Sequence, residues 1–301
     1  MILIDALCVG GRIAHQLTAD QDLTLIGHTS RGCFLQTTTA PVWTAFLSEE
    51  THRGPLTINL PAGAIMLIKQ TNTQTIPLIQ NILHFSDQVQ LSLQDTPRWQ
   101  TPSPIKPILH FAARQKTIAE ATCTIQQRKG KYGINGILQD LLPLLEVPPR
   151  PSSATGQFTE KLQALIAALQ SSDTSDLLNH LAVFLGQGSG LTPSGDDFLL
   201  GLFLTLNRWP DHFPIDESVG PLGWEIVEKA RHQTTHLSAN LIECAIHGEA
   251  DQRLINALDG LMTNEKCALE WMDGLINWGN SSGLDAFAGM ILANNWQSIR
   301  L

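Results

Sequence analysis

The chain has 301 residues, 43% of them hydrophobic and 16% charged, with a net charge of −9; such a chain folds around a large core and suggests about two domains. No apolar run reaches the roughly 18 residues of a membrane span, and Met1-Ile2-Leu3-Ile4-Asp5 lacks the basic lead of a secretory signal. Residues 1–150 carry 12 Lys/Arg against 10 Asp/Glu and residues 151–301 carry 7 against 18, which argues against nucleic acid, because phosphate binding needs a basic face.

Residues 2–17 are ambiguous, with Ile2, Leu3, Ala6 and Leu7 fitting a short helix. From Asp22 to about Leu93 short apolar runs alternate with turn signals such as Arg53-Gly54-Pro55. Strands are predicted at 23–27, 33–37, 56–60, 65–69 and 89–93, and this spacing suggests a small antiparallel sheet or barrel. Pro97, Pro102, Pro104 and Pro107 mark a linker. Helices are predicted at 108–127 and 137–145, with a basic, glycine-containing stretch, Arg128 to Gly133, between them. A second loose stretch, Pro148 to Ser153, follows. From Thr159 the apolar spacing is helical to the end. It includes an all-round apolar helix after Phe198, a long helix over 223–247, and shorter ones near 252–262, 264–278 and 285–296. The chain is therefore read as α+β, with a β-rich domain over 1–105 and an all-α domain over 106–301.

The stretch Gly186-Gln187-Gly188-Ser189-Gly190-Leu191-Thr192-Pro193-Ser194-Gly195-Asp196-Asp197-Phe198 organises the second domain. It is a glycine-rich loop feeding a helix start. Pro193 suits the first helical turn, Thr192 or Ser194 can cap, and Asp196 and Asp197 face the positive end of the helix dipole. The pattern S-G-x-D-x-x-x-G recurs, once at Ser194–Gly201 and once at Ser282–Gly289. In each copy the aspartate and final glycine are four apart and share a helix face. The glycines predict that the two helices pack near Gly201 and Gly289. Asp197 and Asp285 then rim one shared cleft, which joins the loops at 186–201 and 279–289. Free backbone N–H groups at two helix starts favour phosphate or carboxylate. The aspartates oppose a bare anion unless Mg²⁺ bridges, and they also accept from amide, ureido or amine groups.

Other constellations carry less. The stripe His236, Asn240, Glu243, His247 places its two histidines about 16 Å apart at helical rise, too far to share a metal. Thr235 and Ser238 lie on a small-residue face and are the better site candidates. In the first domain His28, Ser30 and Arg31 occupy the connection between two strands. No G-x-S-x-G elbow, Walker loop or H-E-x-x-H is present. The five cysteines are scattered without a CxxC pair, the usage of reduced cytosolic thiols.

The motif G-x-G-x-G-L-T-P-S-G-D-D-F at Gly186–Phe198 resembles the hallmark of the AllH-like family. So do T-x-L-S-A-x-L-I at Thr235–Ile242, S-S-G-x-D-x-x-x-G at Ser281–Gly289, and His28-Thr29-Ser30-Arg31 with a Gly54-Pro55 turn. The resemblance implies a cytoplasmic bacterial subunit of oxamate carbamoyltransferase in allantoin (purine) breakdown, where oxalurate and phosphate give oxamate and carbamoyl phosphate. It also implies other protein subunits as partners and excludes neither of two alternatives: a non-catalytic binding or assembly subunit, or a free-standing enzyme on another small carboxylic acid. Under the first reading Asp196, Asp197 and Asp285 orient the ureido nitrogens or a Mg²⁺. Gly190, Thr192, Ser194, Gly195, Thr235, Ser238, Ser282, Gly283, His28, Ser30 and Arg31 bind the small anionic substrate or phosphate. The expected role is positioning and charge stabilisation.

Overall fold

The structure is a computed structural model that describes the chain apart from residues 19, 31, 72, 105–107, 130–135, 146–155, 172, 211, 214–218, 264–267 and 301. The chain divides into two compact units, Met1–Pro102 and Ser103–Leu301.

The first unit is one ten-stranded sheet. Its strands are β1 (Ile2–Asp5), β2 (Cys8–Gly10), β3 (Gln21–His28), β4 (Gly32–Thr37), β5 (Thr44–Ser48), β6 (Thr57–Asn59), β7 (Thr75–Ile79), β8 (Ile82–His84), β9 (Val89–Ser92) and β10 (Arg98–Trp99). They lie in the order β1-β9-β8-β7-β3-β4-β5-β6-β2-β10. Only Ala6-Leu7 separates β1 from β2. The Ala6 N–H donates to Ser92 O of β9, and the Leu7 N–H donates to Asn59 O of β6. One N-terminal stretch thus bridges the two sides of the sheet and rolls it into a half-barrel. It runs parallel to β9 and antiparallel to β6, and the β5–β6 and β10–β2 pairs are also parallel, so the sheet is mixed. Leu23, Leu35, Leu47, Ile58, Ile76, Leu83 and Leu91, one from each of seven strands, are fully buried; alternation puts one side chain in two on the inner face.

Two local readings change. Residues 2–5 and 8–10 are strands, and only α1 (Gly11–Gln16) is helical in the N-terminal stretch. Residues 65–69 lie in a helix, α2 (Ala64–Gln70). Ile65 and Ile68 are buried while Met66 is exposed, a spacing of three rather than two. Gly63, at φ +86°, turns the chain before this helix, and Glu49 Oε1 accepts from the Ile65 N–H at 2.6 Å. That partner, sixteen residues away, satisfies a donor at the helix start.

The second unit is helical. It contains α3 (Phe111–Lys129), α4 (Ile137–Leu145), α5 (Thr159–Gln170), α6 (Thr174–Ala182), α7 (Ser194–Arg208), α8 (Val219–Gln233), α9 (His236–Ile246), α10 (Gln252–Thr263), α11 (Ala268–Ile276) and α12 (Ser282–Arg300). The expected long helix over 223–247 is two helices. Thr235 is extended at φ −71° and ψ 151°, and its hydroxyl accepts from the Ser238 N–H at 3.0 Å, so a cap interrupts the run. Helix α7 is buried along nearly its whole length, as its apolar sequence requires. At its C-terminal end Arg208 forms a buried two-pronged pair with Asp259, Nε to Oδ1 at 2.7 Å and Nη2 to Oδ2 at 2.9 Å. Arg128 pairs with Asp273; residues 130–133 of the basic stretch, and Pro148 to Ser153, lie outside the described residues.

Candidate functional site

Helices α7 and α12 cross through glycine. A Cβ on Gly201 would stand 1.8 Å from the Ala286 carbonyl oxygen, and one on Gly289 would stand 2.0 Å from the Phe198 carbonyl oxygen. Only hydrogen fits in either place. Gly201 and Gly289 lie four residues after Asp197 and Asp285; Phe198 and Ala286 lie one residue after them. Each helix therefore sets its glycine on the carbonyl that follows the other helix's aspartate. The repeat in the sequence is a two-fold-like crossing in space, and it puts the two aspartates in equivalent positions.

The helix starts are equivalent too. Gly195 packs where a Cβ would be 2.0 Å from Phe184 O, and Gly283 where it would be 1.8 Å from Leu275 O. The Gly195 N–H donates to Gln187 O and the Gly283 N–H to Trp278 O. The first turns are closed by Asp196 and Asp197 N–H to Pro193 O, and by Leu284 and Asp285 N–H to Ser281 O. Pro193 precedes α7 and no side chain caps that helix; neither Thr192 nor Ser194 takes the expected capping role. Of the amides expected to meet an anion, those of Gly195, Asp196, Asp197, Gly283, Leu284 and Asp285 are used inside the protein.

The loop before α7 follows from its glycines. Gly186, Gly188 and Gly190 sit at φ +70°, +123° and +94°, the left-handed region that disfavours any side chain. The corner between α8 and α9 grips this loop. Thr235 Oγ1 donates to Leu191 O at 2.6 Å, Ser238 Oγ donates to the same oxygen at 3.4 Å, and the Thr234 hydroxyl donates to Asp196 Oδ2. Asp196 Oδ1 accepts from the Gly186 N–H at 2.8 Å. Thr234 and the backbone of Gly186 were not among the predicted site residues; a threonine beside a cap carries no signal that separates it from an ordinary turn.

The two loops meet at Thr192 and Ser282, whose hydroxyl oxygens are 3.1 Å apart. Behind them Asp197 is 1% exposed and Asp285 is fully buried. Asp285 Oδ1 accepts from the Ile137 N–H at 3.3 Å, at the start of α4. Gly136, at φ +87°, leaves room for that carboxylate, since a Cβ there would be 2.9 Å from Oδ1. Burial pushes the Asp197 carboxyl well above the ordinary range; the hydroxyls of Ser282 and Thr192 favour its charged form, while Asp285 and Asp196 oppose it. Burial raises Asp196 as well, against the donors Thr234, Gly186 N–H and Ser238. Among the described residues no three His, Cys, Asp or Glu side chains are grouped to hold a metal.

The predicted residues thus separate into groups. Asp197, Asp285, Thr192 and Ser282 stand together at the crossing. Asp196, Thr235 and Ser238 bind the loop itself. Ser194 is half-buried at the start of α7, Gly195 and Gly283 are packing contacts, and Gly190 is exposed at the loop tip. His28 and Ser30 are exposed on the β3–β4 connection of the first unit, and Arg31 lies outside the described residues. Cys33, next to that connection, is buried, and burial pushes its thiol up to about 12 against a lowering influence from Lys69. No helix among the described residues is long and apolar enough to cross a membrane.

Residues 184–294 match the family model described as oxamate carbamoyltransferase subunit AllH. The matched segment holds both loops, the α8–α9 corner and the glycine crossing, and it supports the AllH-like family read from the motifs. No solved structure matches the chain.

Proposed function

We propose that this AllH-like chain is a cytoplasmic subunit of a carbamoyltransferase, working with other protein subunits on a small ureido acid in purine breakdown. The reaction is phosphorolysis of oxalurate. A phosphate oxygen bonds to the carbamoyl carbon, the bond from that carbon to the oxamate nitrogen breaks, and the nitrogen leaves with a proton as oxamate. The products are oxamate and carbamoyl phosphate. The observation that supports this reading is the crossing of α7 and α12, which sets Asp197 and Asp285 behind the paired hydroxyls of Thr192 and Ser282.

In this reading the hydroxyls form the rim that meets the ureido group, and the carboxylates behind them orient it. The protein's contribution is position and a fixed electrostatic environment. The proton that leaves with the nitrogen is the one the attacking hydrogen phosphate gives up, so the step balances without a proton from the protein. Thr234, Thr235 and Ser238 hold the loop in register. Leu191, 41% exposed at the loop tip, faces outward and suits contact with a partner subunit.

Thermal melting of the full chain with oxalurate, phosphate and carbamoyl phosphate tests the reading. Oxalurate at 100 times its Kd stabilises by about 2.7 kcal/mol. In the assembly with its partner subunits, Asp197→Asn lowers carbamoyl phosphate formation by a factor of about 10² to 10³, the cost of losing one preorganised group. An assembly whose rate is unchanged by Asp197→Asn and Asp285→Asn leaves this chain the role of a non-catalytic binding or assembly subunit. Turnover of a different carboxylic acid by the chain alone makes it a free-standing enzyme.

A further inference from the structure

Carboxylates taken out of water need donors, a countercharge or a proton. Asp196 has donors in the Gly186 N–H and the Thr234 hydroxyl. Asp197 differs. Its Oδ2 is fully buried and receives no hydrogen bond from the described residues, and the residue is 1% exposed. The Asp285 carboxylate adds negative potential at this position, and no lysine or arginine among the described residues acts on it. The surrounding polar groups are the hydroxyls of Ser282 and Thr192, themselves 3.1 Å apart. Six helix-start amides, those of Gly195, Asp196, Asp197, Gly283, Leu284 and Asp285, donate to the carbonyls of Gln187, Pro193, Trp278 and Ser281.

We propose that Asp197, Asp285 and the hydroxyl oxygens of Thr192 and Ser282 form a site for a hard divalent cation, with Mg²⁺ as its ion. The donors are oxygen only, from carboxylate and hydroxyl, which suits Mg²⁺ and not the softer metals that take sulfur or imidazole. Two protein carboxylates are the usual number for Mg²⁺, which keeps water on its remaining positions or exchanges it for substrate oxygens. A site of this composition needs no third acidic or histidine ligand. The ion removes the conflict between two acidic side chains and an anionic substrate, because it attracts phosphate or carboxylate where negative charge repels it. That last role rests on the proposed carbamoyl transfer; the binding of the ion does not.

The test is made on the full chain after treatment with a chelator. Mn²⁺ titration followed by electron paramagnetic resonance is expected to show one saturable ion per chain, displaced by Mg²⁺, and saturating Mg²⁺ raises Tm by several degrees. Asp197→Asn and Asp285→Asn weaken Mn²⁺ at least tenfold, and Ser282→Ala weakens it severalfold, whereas Glu120→Gln on the exposed face of α3 leaves it unchanged. Ser282→Ala serves where the aspartate variants fail to fold. Absence of a saturable site in the unaltered chain overturns the proposal, as does Mn²⁺ affinity indifferent to both Asp197→Asn and Ser282→Ala. So does an Asp197→Asn chain that melts higher than the unaltered one while neither responds to Mg²⁺, for then a proton occupies the place of the ion. Saturable Mn²⁺ binding without any response to oxalurate or phosphate keeps the site and removes the reaction. Carbamoyl phosphate formation at an unchanged rate in excess chelator keeps the reaction and removes the site.

Discussion

At the scale of single residues, three neighbouring acids do different work. Asp196 joins Gly186 to Thr234 and so ties the glycine loop to the α8–α9 corner. Asp285 joins α12 to the start of α4. Asp197 has a buried Oδ2 that accepts no hydrogen bond from the described residues. Their adjacency to glycine and serine was legible in the sequence, but their partners were not, because Thr234 and Ile137 are remote along the chain and the Gly186 N–H reaches Asp196 only through the fold of the loop. The Thr234 contact predicts a pH-dependent variant. The Asp196 carboxyl is raised in the folded chain, so its contribution is fully present below the ordinary carboxyl range and is lost as pH rises through the folded value. Thr234→Val removes a donor that favours the charged form and raises that value further. The variant is therefore destabilised by about 1–3 kcal/mol near pH 7, the cost of a buried acceptor left short of a partner, and by less near pH 4. Urea denaturation at the two pH values measures the difference; an equal loss at both would mean that the hydroxyl acts on packing and not on the charge.

At the scale of elements, glycine decides what can touch. Alanine favours an isolated helix over glycine by about 1 kcal/mol, yet at position 201 its methyl would stand 1.8 Å from the backbone oxygen of Ala286. A backbone carbonyl cannot rotate away as a side chain can. Gly201→Ala is therefore expected to destabilise by about 2 kcal/mol or more despite the gain in propensity, and Gly289→Ala to do likewise against Phe198 O. Gly27→Ala, where nothing lies within 4 Å of the added carbon, is the comparison and stays within about 1 kcal/mol of the unaltered chain. Chemical denaturation of the three variants checks the order. The S-G-x-D-x-x-x-G repeat made this crossing readable, since two glycines at matched offsets point to a close approach of two helices. The split between α8 and α9 was not readable from apolar spacing, which runs on across Thr234-Thr235. The helical state of 64–70 was not readable either, because Glu49 supplies its start from another part of the sheet.

At the scale of the whole molecule, the chain has two units with contacts concentrated inside each, and the core of the second is drawn from α3 to α12. Residues 103–301 expressed alone are expected to give helical circular dichroism and a cooperative thermal transition; a non-cooperative melt would show that the helical unit needs the first 102 residues to fold. By itself the sequence determined the α+β class, the β-rich beginning and helical remainder, the doubled loop and the glycine contact between its helices. These follow from period, composition and local offset, which act over a few residues and need no knowledge of distant neighbours. Only the tertiary structure decided that the sheet is mixed, that the N-terminal stretch bridges its two sides, and that the Gly195 and Gly283 amides are taken by Gln187 and Trp278. It also decided that one oxygen of Asp197 is buried without a donor among the described residues. Each of these depends on which remote groups arrive at the same place, and hydrogen bonds and burial are settled by that arrival, not by spacing along the chain.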